Sequence, residues 1–216
     1  MKDFLLLGLI SSLTAVELTM DDFVVQEKEV GYWRVSEGAI VAGSATEKVA
    51  YNTFASSKRR YENFELSLQV KLDAFESKNP NAGIQIRSER IVNHHEMKGY
   101  QADAAKNYWG KIYDESRRNK VVGNYLTPEA GKAVREGWNN YLIRCEGPRI
   151  QIWLNGVQTV DYTEKDEKIP LEGLIALQAH RGPSFEASYR NIQIRELPKT
   201  EGIMTWEKLG PKAVKN

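Results

Sequence analysis

Residues 82–118, AGIQIRSERIVNHHEMKGYQADAAKNYWGKIYDESRR, hold a dense run of side chains able to do chemistry at neutral pH. Their spacing is that of extended chain, in which successive side chains point to opposite faces. Gln85 and Arg87 then share one face while Ile84 and Ile86 take the other, Gln101 and Asp103 share a face, and so do Trp109, Lys111 and Tyr113. Neighbouring strands of this kind build a wall of hydrogen-bonding groups beside an aromatic platform. A sugar suits such a wall, because Trp109 and Tyr113 offer apolar faces to its C–H groups while the amides and acids meet its hydroxyls.

Asp103 and Glu96 are the carboxylates placed to serve as acid or base, or as oxygen ligands for a divalent metal. His94-His95-Glu96 has the residue types of a metal site, but adjacent residues in a strand face opposite ways, so both imidazoles reach one ion only from a loop. No metal ligand set is assigned and no cofactor is identified, a divalent metal being the one candidate. His180 ends the segment GLIALQAH on the same face as Gln178, and an imidazole with an ordinary pKa of about 6.5 suits a general base. Asp114 and Glu115 read as a charged turn. The single cysteine, Cys145, is in phase with Tyr141 and Ile143 and reads as a buried small hydrophobe. One cysteine excludes an internal disulfide framework and a cysteine-rich zinc site.

The elements that must position these residues read as strands and turns. GYWRVSEGAIVAG is a hairpin about Glu37-Gly38. Residues 48–54 read as a strand, Lys58, Arg59 and Arg60 as a solvated loop, and FELSLQVKL as a strand with one apolar face. Thr127-Pro128-Glu129 caps a single helical turn. Gly147-Pro148 and Asn155-Gly156 join three further strands, the Asn-Gly pair being suited to a type I′ turn. Connections this short require antiparallel pairing. About a dozen strands without a long helical period imply an all-β fold, an antiparallel two-sheet sandwich of residues 21–197, followed by a tail, residues 198–216.

Composition sets further bounds. With 30 Lys+Arg against 29 Asp+Glu the net charge is +1, which makes no electrostatic case for nucleic acid or an anionic membrane. Residues 1–20 read as a leader: Lys2, an apolar run over residues 4–10 and small residues up to Ala15 have the order of a short secretory signal. The expectation is an exported protein, periplasmic or extracellular. The apolar run is too short to span a bilayer, which takes about 20 residues.

Taken in order, GYWRVSEGAIVAG, FELSLQVKL, NAGIQIRSE, GYQADAAKNYWGKIYDES, GWNNYLIRCEGPRIQIWLNGVQTVDYT and GLIALQAHRGPSFEASYRNIQIREL resemble the 3-keto-disaccharide hydrolase family. The resemblance covers residues 21–197 and implies a jelly-roll sandwich of the concanavalin A-like lectin and glucanase type, acting on glycosides whose sugar carries a ketone at C3. In the family's wider pattern a Glu and a Gln stand where this chain has Gln101 and Asp103, so acid and amide are exchanged.

The chemistry of that substrate can be argued independently. A C3 ketone acidifies the hydrogen at C2; a base removes it, an enolate forms, and the C1 substituent departs by elimination, after which water adds to the enone. Such a site needs a base near C2, a donor for the C3 oxyanion and an acid for the leaving oxygen. His180 is the candidate base, Arg87 the candidate donor, and Asp103 and Glu96 the candidate acids, with Gln85, Gln101, Trp109, Tyr113 and Gln178 lining the sugar. The alternative from another class is a noncatalytic carbohydrate-binding module, since fold alone does not fix function.

Overall fold

The computed structural model describes residues 14–210. The apolar run of residues 4–10 expected as an export signal lies outside them. In chain order the strands are β1 (Val16–Glu17), β2 (Phe23–Val25), β3 (Trp33–Ser36), β4 (Ala39–Ser44), β5 (Thr53–Tyr61), β6 (Phe64–Ala74), β7 (Asn81–Arg90) and β8 (Met97–Ala105). They continue as β9 (Ile112–Glu115), β10 (Lys120–Gly123), β11 (Asn139–Glu146), β12 (Arg149–Leu154), β13 (Val157–Thr163), β14 (Gly173–Ala179) and β15 (Phe185–Glu196).

These strands form two antiparallel sheets, the sandwich expected from the alternation and the jelly roll implied by the family resemblance. One sheet has the order β13-β12-β11-β6-β15-β4-β3, with β1 added against β15; the other runs β10-β9-β8-β7-β14-β5-β2. The turns fall where their chemistry requires: Glu37-Gly38 joins β3 to β4, and Asn155 and Gly156, both at positive φ, join β12 to β13. Thr127 caps a 3₁₀ turn at Pro128–Lys132 by accepting the Ala130 N–H. Residues 16–20, inside the span read as a leader, belong to the fold, since Val16 and Glu17 pair with Ile194 and Gln193.

Period-two alternation creates the core. Phe64, Leu66, Leu68 and Val70 of β6 and Tyr141, Ile143 and Cys145 of β11 face Ile84 and Ile86 of β7, Tyr100, Ala102 and Ala104 of β8, and Ile175, Leu177 and Ala179 of β14. Each large apolar side chain so buried contributes about 1.5–3 kcal/mol relative to exposure. Cys145 is buried as expected, and burial pushes its thiol up to about 11. The outer face of the β6-containing sheet is wet and laced with ion pairs, Arg144 and Arg195 on Glu65, Arg34 on Glu186, and Arg149 on Asp161.

Two tyrosines bridge the sheets. Tyr141 on β11 donates its hydroxyl to the Asp103 carbonyl at 2.5 Å, and Tyr189 on β15 donates to the Gln178 carbonyl at 2.5 Å. Both rings are buried, which pushes both phenols far above their ordinary range.

Several expectations need correction. Lys58, Arg59 and Arg60 lie within β5 and not in a loop; Arg59 pairs with Glu196, and Arg60 with Glu89 and Glu172. The tail is docked: Trp206 opens a short helix (Trp206–Leu209), is 4% exposed, and donates its indole N–H to the Arg87 carbonyl. Trp109 is in the turn between β8 and β9, where its ring stacks on Tyr141 at 6.2 Å and packs against the core. It is half-buried and supports the fold. Trp109→Ala is therefore expected to cost about 2–4 kcal/mol, the range of large-to-small changes at packed sites, and to lower the melting temperature by roughly 5–10 °C. Thermal unfolding followed by circular dichroism measures it; an unchanged melting temperature would return Trp109 to the groove.

Candidate functional site

Since the apolar alternates of the second sheet are committed to the core, the intervening residues are presented on its outer face. Along β7, β8 and β14 these are Gly83 and Gln85, Gly99, Gln101 and Asp103, and Ala176 and Gln178. Register sets them side by side. Gly83 pairs with Asp103 on one side and Gln178 on the other, and Gln85 pairs with Gln101, which pairs with Tyr113. Asp103 and Gln178 thus stand two strand spacings apart, about 10 Å, with no side chain on the residue between them. A Cβ on Gly83 would meet the Gln101 amide at 2.6 Å, so glycine is required for that side chain to lie across the strand.

The polar floor is buried yet incompletely bonded. Gln85 and Gln178 are 0% exposed, Gln101 3% and Asp103 6%. Gln85 donates to Gln101 Oε1 at 2.9 Å, and Gln101 donates to Asp103 Oδ1 at 2.8 Å. Gln178 is different: neither its Nε2 nor its Oε1 has a partner. An unpartnered buried amide is costly, about 1–3 kcal/mol, and here it points away from the core, as a group reserved for a ligand would.

The walls come from neighbouring loops and strands. Met97, the first residue of β8, packs on Phe54 and Ala176, and Glu96 before it, the last residue of the β7–β8 loop, accepts the Asn52 amide at Oε1 at 2.9 Å. Glu96 Oε2 has no partner. On the opposite side Tyr113 and Glu115 of β9 share the outer face, and Lys111 lies over the Tyr125 ring at 4.6 Å and the Tyr108 ring at 5.3 Å.

The electrostatics of the three acids are unusual. Burial pushes Asp103 up to about 7, with the Glu115 carboxylate adding to the effect against the Gln101 hydrogen bond and Lys111. Burial pushes Glu96 up to about 7 as well, again reinforced by Glu115 and opposed by the Asn52 hydrogen bond. Glu115 is itself raised by burial and by Asp114. Acids held near neutrality can both give and take a proton at working pH.

His180 follows β14 two residues after Gln178. Its Nδ1 lies 2.8 Å from the Arg181 carbonyl. A carbonyl only accepts, so Nδ1 carries the proton and Nε2 keeps its lone pair. Burial, followed by Arg181, holds the imidazole below its ordinary range against that hydrogen bond, which keeps it neutral.

Arg87 is not part of this surface. Two residues of β7, Arg87 and Ser88, stand opposite one of β8 between the Ile86 and Glu89 registers, and Arg87 takes φ 50°. This bulge turns Arg87 off the Gln85 face. Its guanidinium is fully buried and donates to the Glu62 and Gly147 carbonyls and to Asn63 Oδ1, so it is not the oxyanion donor expected of it. His94 and His95 do lie in a loop, with rings stacked at 4.3 Å; His94 Nδ1 accepts the Glu96 N–H, and His95 lies 3.3 Å from Glu96 Oε1. Among the described residues no group of three or more His, Cys, Asp or Glu is arranged to hold a metal ion. Glu115, read as part of a charged turn, is on β9, on the same sheet face as Tyr113, and Asn52 and Tyr125 gave no motif by which to find them.

The sequence pattern of the 3-keto-alpha-glucoside-1,2-lyase-like domain matches residues 18–195. The chain belongs to this family. Membership in the 3-keto-alpha-glucoside-1,2-lyase-like family makes its function carbohydrate-related and accords with the resemblance carried by the ordered segments. Among solved structures the chain is similar to a putative glycosyl hydrolase from Parabacteroides distasonis, with 22% identity, a TM-score of 0.56, and coverage of 77% of this chain and 91% of that one. It is also similar to the carbohydrate-binding module CBM66 from Bacillus subtilis, with 15% identity, a TM-score of 0.60, and coverage of 81% and 96%. A Bacillus subtilis protein of unknown function with a galectin-like fold matches with 8% identity, a TM-score of 0.57, and coverage of 82% and 90%. At these identities the likeness shows the fold. No curated protein sequence matches the chain.

The acids make stability depend on pH in a stated direction. A carboxyl whose pKa is higher folded than unfolded binds more protons in the native state, so its contribution is complete below about pH 4 and is lost as pH rises through about 7. Asp103→Asn, which cannot ionise, is therefore expected to flatten the fall in stability between about pH 5 and 8 and to be the more stable protein at pH 8. Urea unfolding at both pH values checks this; a wild-type curve that rises across the interval would contradict it.

Proposed function

We propose that the groove on the outer face of the β7-containing sheet binds a 3-keto-glycoside and cleaves it by elimination. What carries the reading is an unpartnered buried amide and an acid held near neutrality on one sheet face, with a second such acid, Glu96, in the adjoining β7–β8 loop and, just past the end of β14, an imidazole whose Nδ1 carries the proton. His180 Nε2 takes the C2 proton, and the electron pair passes into the C2–C3 bond to give the enolate. Gln178 Nε2 replaces Arg87 as donor to the C3 oxyanion. Collapse of the enolate breaks the C1–oxygen bond, and Asp103 protonates the leaving oxygen; Glu96, similarly poised, is the second acid. Water then adds at C1 of the enone, losing a proton to the Asp103 carboxylate while the His180 imidazolium returns one to C2, which resets both groups with the net result of hydrolysis. Tyr113, with Tyr108 and Tyr125 around Lys111, provides the aromatic side of the groove. Export directed by the apolar run of residues 4–10 accords with a glycoside substrate met outside the cytoplasm.

A noncatalytic carbohydrate-binding module is the second reading, favoured by the likeness to CBM66 and by the use of such sandwiches for binding alone. It requires the groove to hold sugars without turning them over.

Activity is expected to need the ketone, because elimination depends on the acidity it confers at C2. Incubation with 3-keto-glucosides and plain glucosides, with and without a chelator, tests this; equal turnover of the unoxidised sugar counts for a conventional glycosidase, and binding of both without turnover counts for the module.

His180→Ala should lower the elimination rate by roughly 10²–10⁴-fold, the usual worth of a positioned base, with binding far less changed. Exchange of the C2 hydrogen with deuterated solvent should slow in step. Full exchange in the variant would move the base role to Glu96 or Asp103.

A further inference from the structure

Behind Asp103 runs a chain of side chains with a direction. Ser88 donates its hydroxyl to Gln85 Oε1 at 2.6 Å, Gln85 Nε2 donates to Gln101 Oε1 at 2.9 Å, and Gln101 Nε2 donates to Asp103 Oδ1 at 2.8 Å. Both ends fix the sense of the middle. An ionised carboxylate only accepts, so Gln101 must present its NH₂ to Asp103 and its carbonyl to Gln85. Gln85 must then present its NH₂ to Gln101, which leaves its own carbonyl in need of a donor. Ser88 supplies one. Its hydroxyl has a single proton and lies farther from the Ile86 and Tyr100 carbonyls, at 3.0 and 3.3 Å, than from Gln85.

Ser88 and Gln85 are both 0% exposed, and Gln85, unlike Gln178, has protein partners at both Oε1 and Nε2. The bulge that removes Arg87 is what makes the chain possible, since it brings Ser88 back to the outer side, opposite Leu174. Gly99 is also matched to it, because a Cβ there would meet the Ser88 hydroxyl oxygen. Among the described residues Asp103 Oδ2 receives no hydrogen bond from the protein.

We propose that Ser88 and Gln85 are positioning residues for Asp103: their one-way relay through Gln101 reserves Oδ1 as an acceptor and leaves Oδ2 as the oxygen that takes up and releases the proton in the groove. The consequence for turnover rests on the acid role proposed above for Asp103. The relay itself is tested without substrate.

The test is NMR on the full chain, with ¹³C-labelled aspartate and ¹⁵N-labelled glutamine side chains, titrated from about pH 4 to 9. In the wild type the side-chain amides of Gln101 and Gln85 should move with the midpoint of the Asp103 carboxyl, while that of Gln178, which is outside the relay, should not follow it. Gln85→Glu places an acceptor between Ser88 and Gln101. Gln101 must then turn, its carbonyl faces Asp103, and the protonated acid is favoured; the Asp103 midpoint should rise by about one pH unit, tenfold in proton affinity. Ser88→Ala separates orientation from charge, because it frees the two amides to flip without adding a carboxylate, and should raise the midpoint by a smaller amount.

A Gln85 amide that stays put through the Asp103 titration, or an unmoved midpoint in variants with native backbone spectra, would overturn the relay. Should neither variant fold, the wild-type coupling decides alone. Where 3-keto-glycoside cleavage is measured, the pH profile of kcat should shift with the midpoint and KM should not. A protein with no turnover but a coupled titration would keep the relay and reject only the lyase reading.

Discussion

Two buried phenol hydroxyls tie the candidate site to the rest of the sandwich. Tyr141 and Tyr189 belong to the sheet that carries no site residue, cross the core, and end on the carbonyls of Asp103 and Gln178. Gly83, paired with both of those residues, shares the Tyr189 hydroxyl at 3.3 Å. The three strands that floor the groove are thus held from behind by groups with no contact with a ligand. A floor fixed in this way tolerates a buried amide without a partner, because the cost is spread over a well-packed core.

The chemistry of the groove follows from what the core takes. With Ile84, Ile86, Tyr100, Ala102, Leu177 and Ala179 committed inward, amides and acids are the residues left to face out. Burial then raises those acids, Asp103 on β8 and Glu96 in the β7–β8 loop. Desolvation is the first cause for both Glu96 and Asp103, and their shared neighbour Glu115 is the common second source of upward pressure.

Where period two holds, the sequence could be read closely: Gln101 with Asp103, Gln178 apart from Leu177, and Cys145 among Tyr141 and Ile143 all fall as alternation requires. It failed where one residue is gained or the chain turns. A single extra residue opposite β8 reverses Arg87, and nothing in IQIRSER marks it, since a bulge at a non-glycine residue has no composition of its own. Trp109 was assigned to a strand that is in fact a turn ending at Gly110, whose φ of 76° marks the reversal. Glu115 looked like turn chemistry because Asp114 and Ser116 flank it, yet its strand continues one residue further than the charge pattern suggests. Glu96 was legible as a residue type; its place depends on a loop path and on Asn52, far away in the chain.

Arg87 has one more consequence. Its positive charge is surrounded by three oxygen dipoles, from Glu62, Gly147 and Asn63, and among the described residues no carboxylate hydrogen-bonds it. Dissolved ions screen charges that face water and hardly affect a cation sealed among carbonyls. The clasp at this end of the sandwich is thus indifferent to ionic strength, whereas the ladder of arginines and glutamates on the outer face of the opposite sheet weakens as salt is added. The two sides of one small fold respond differently to brine.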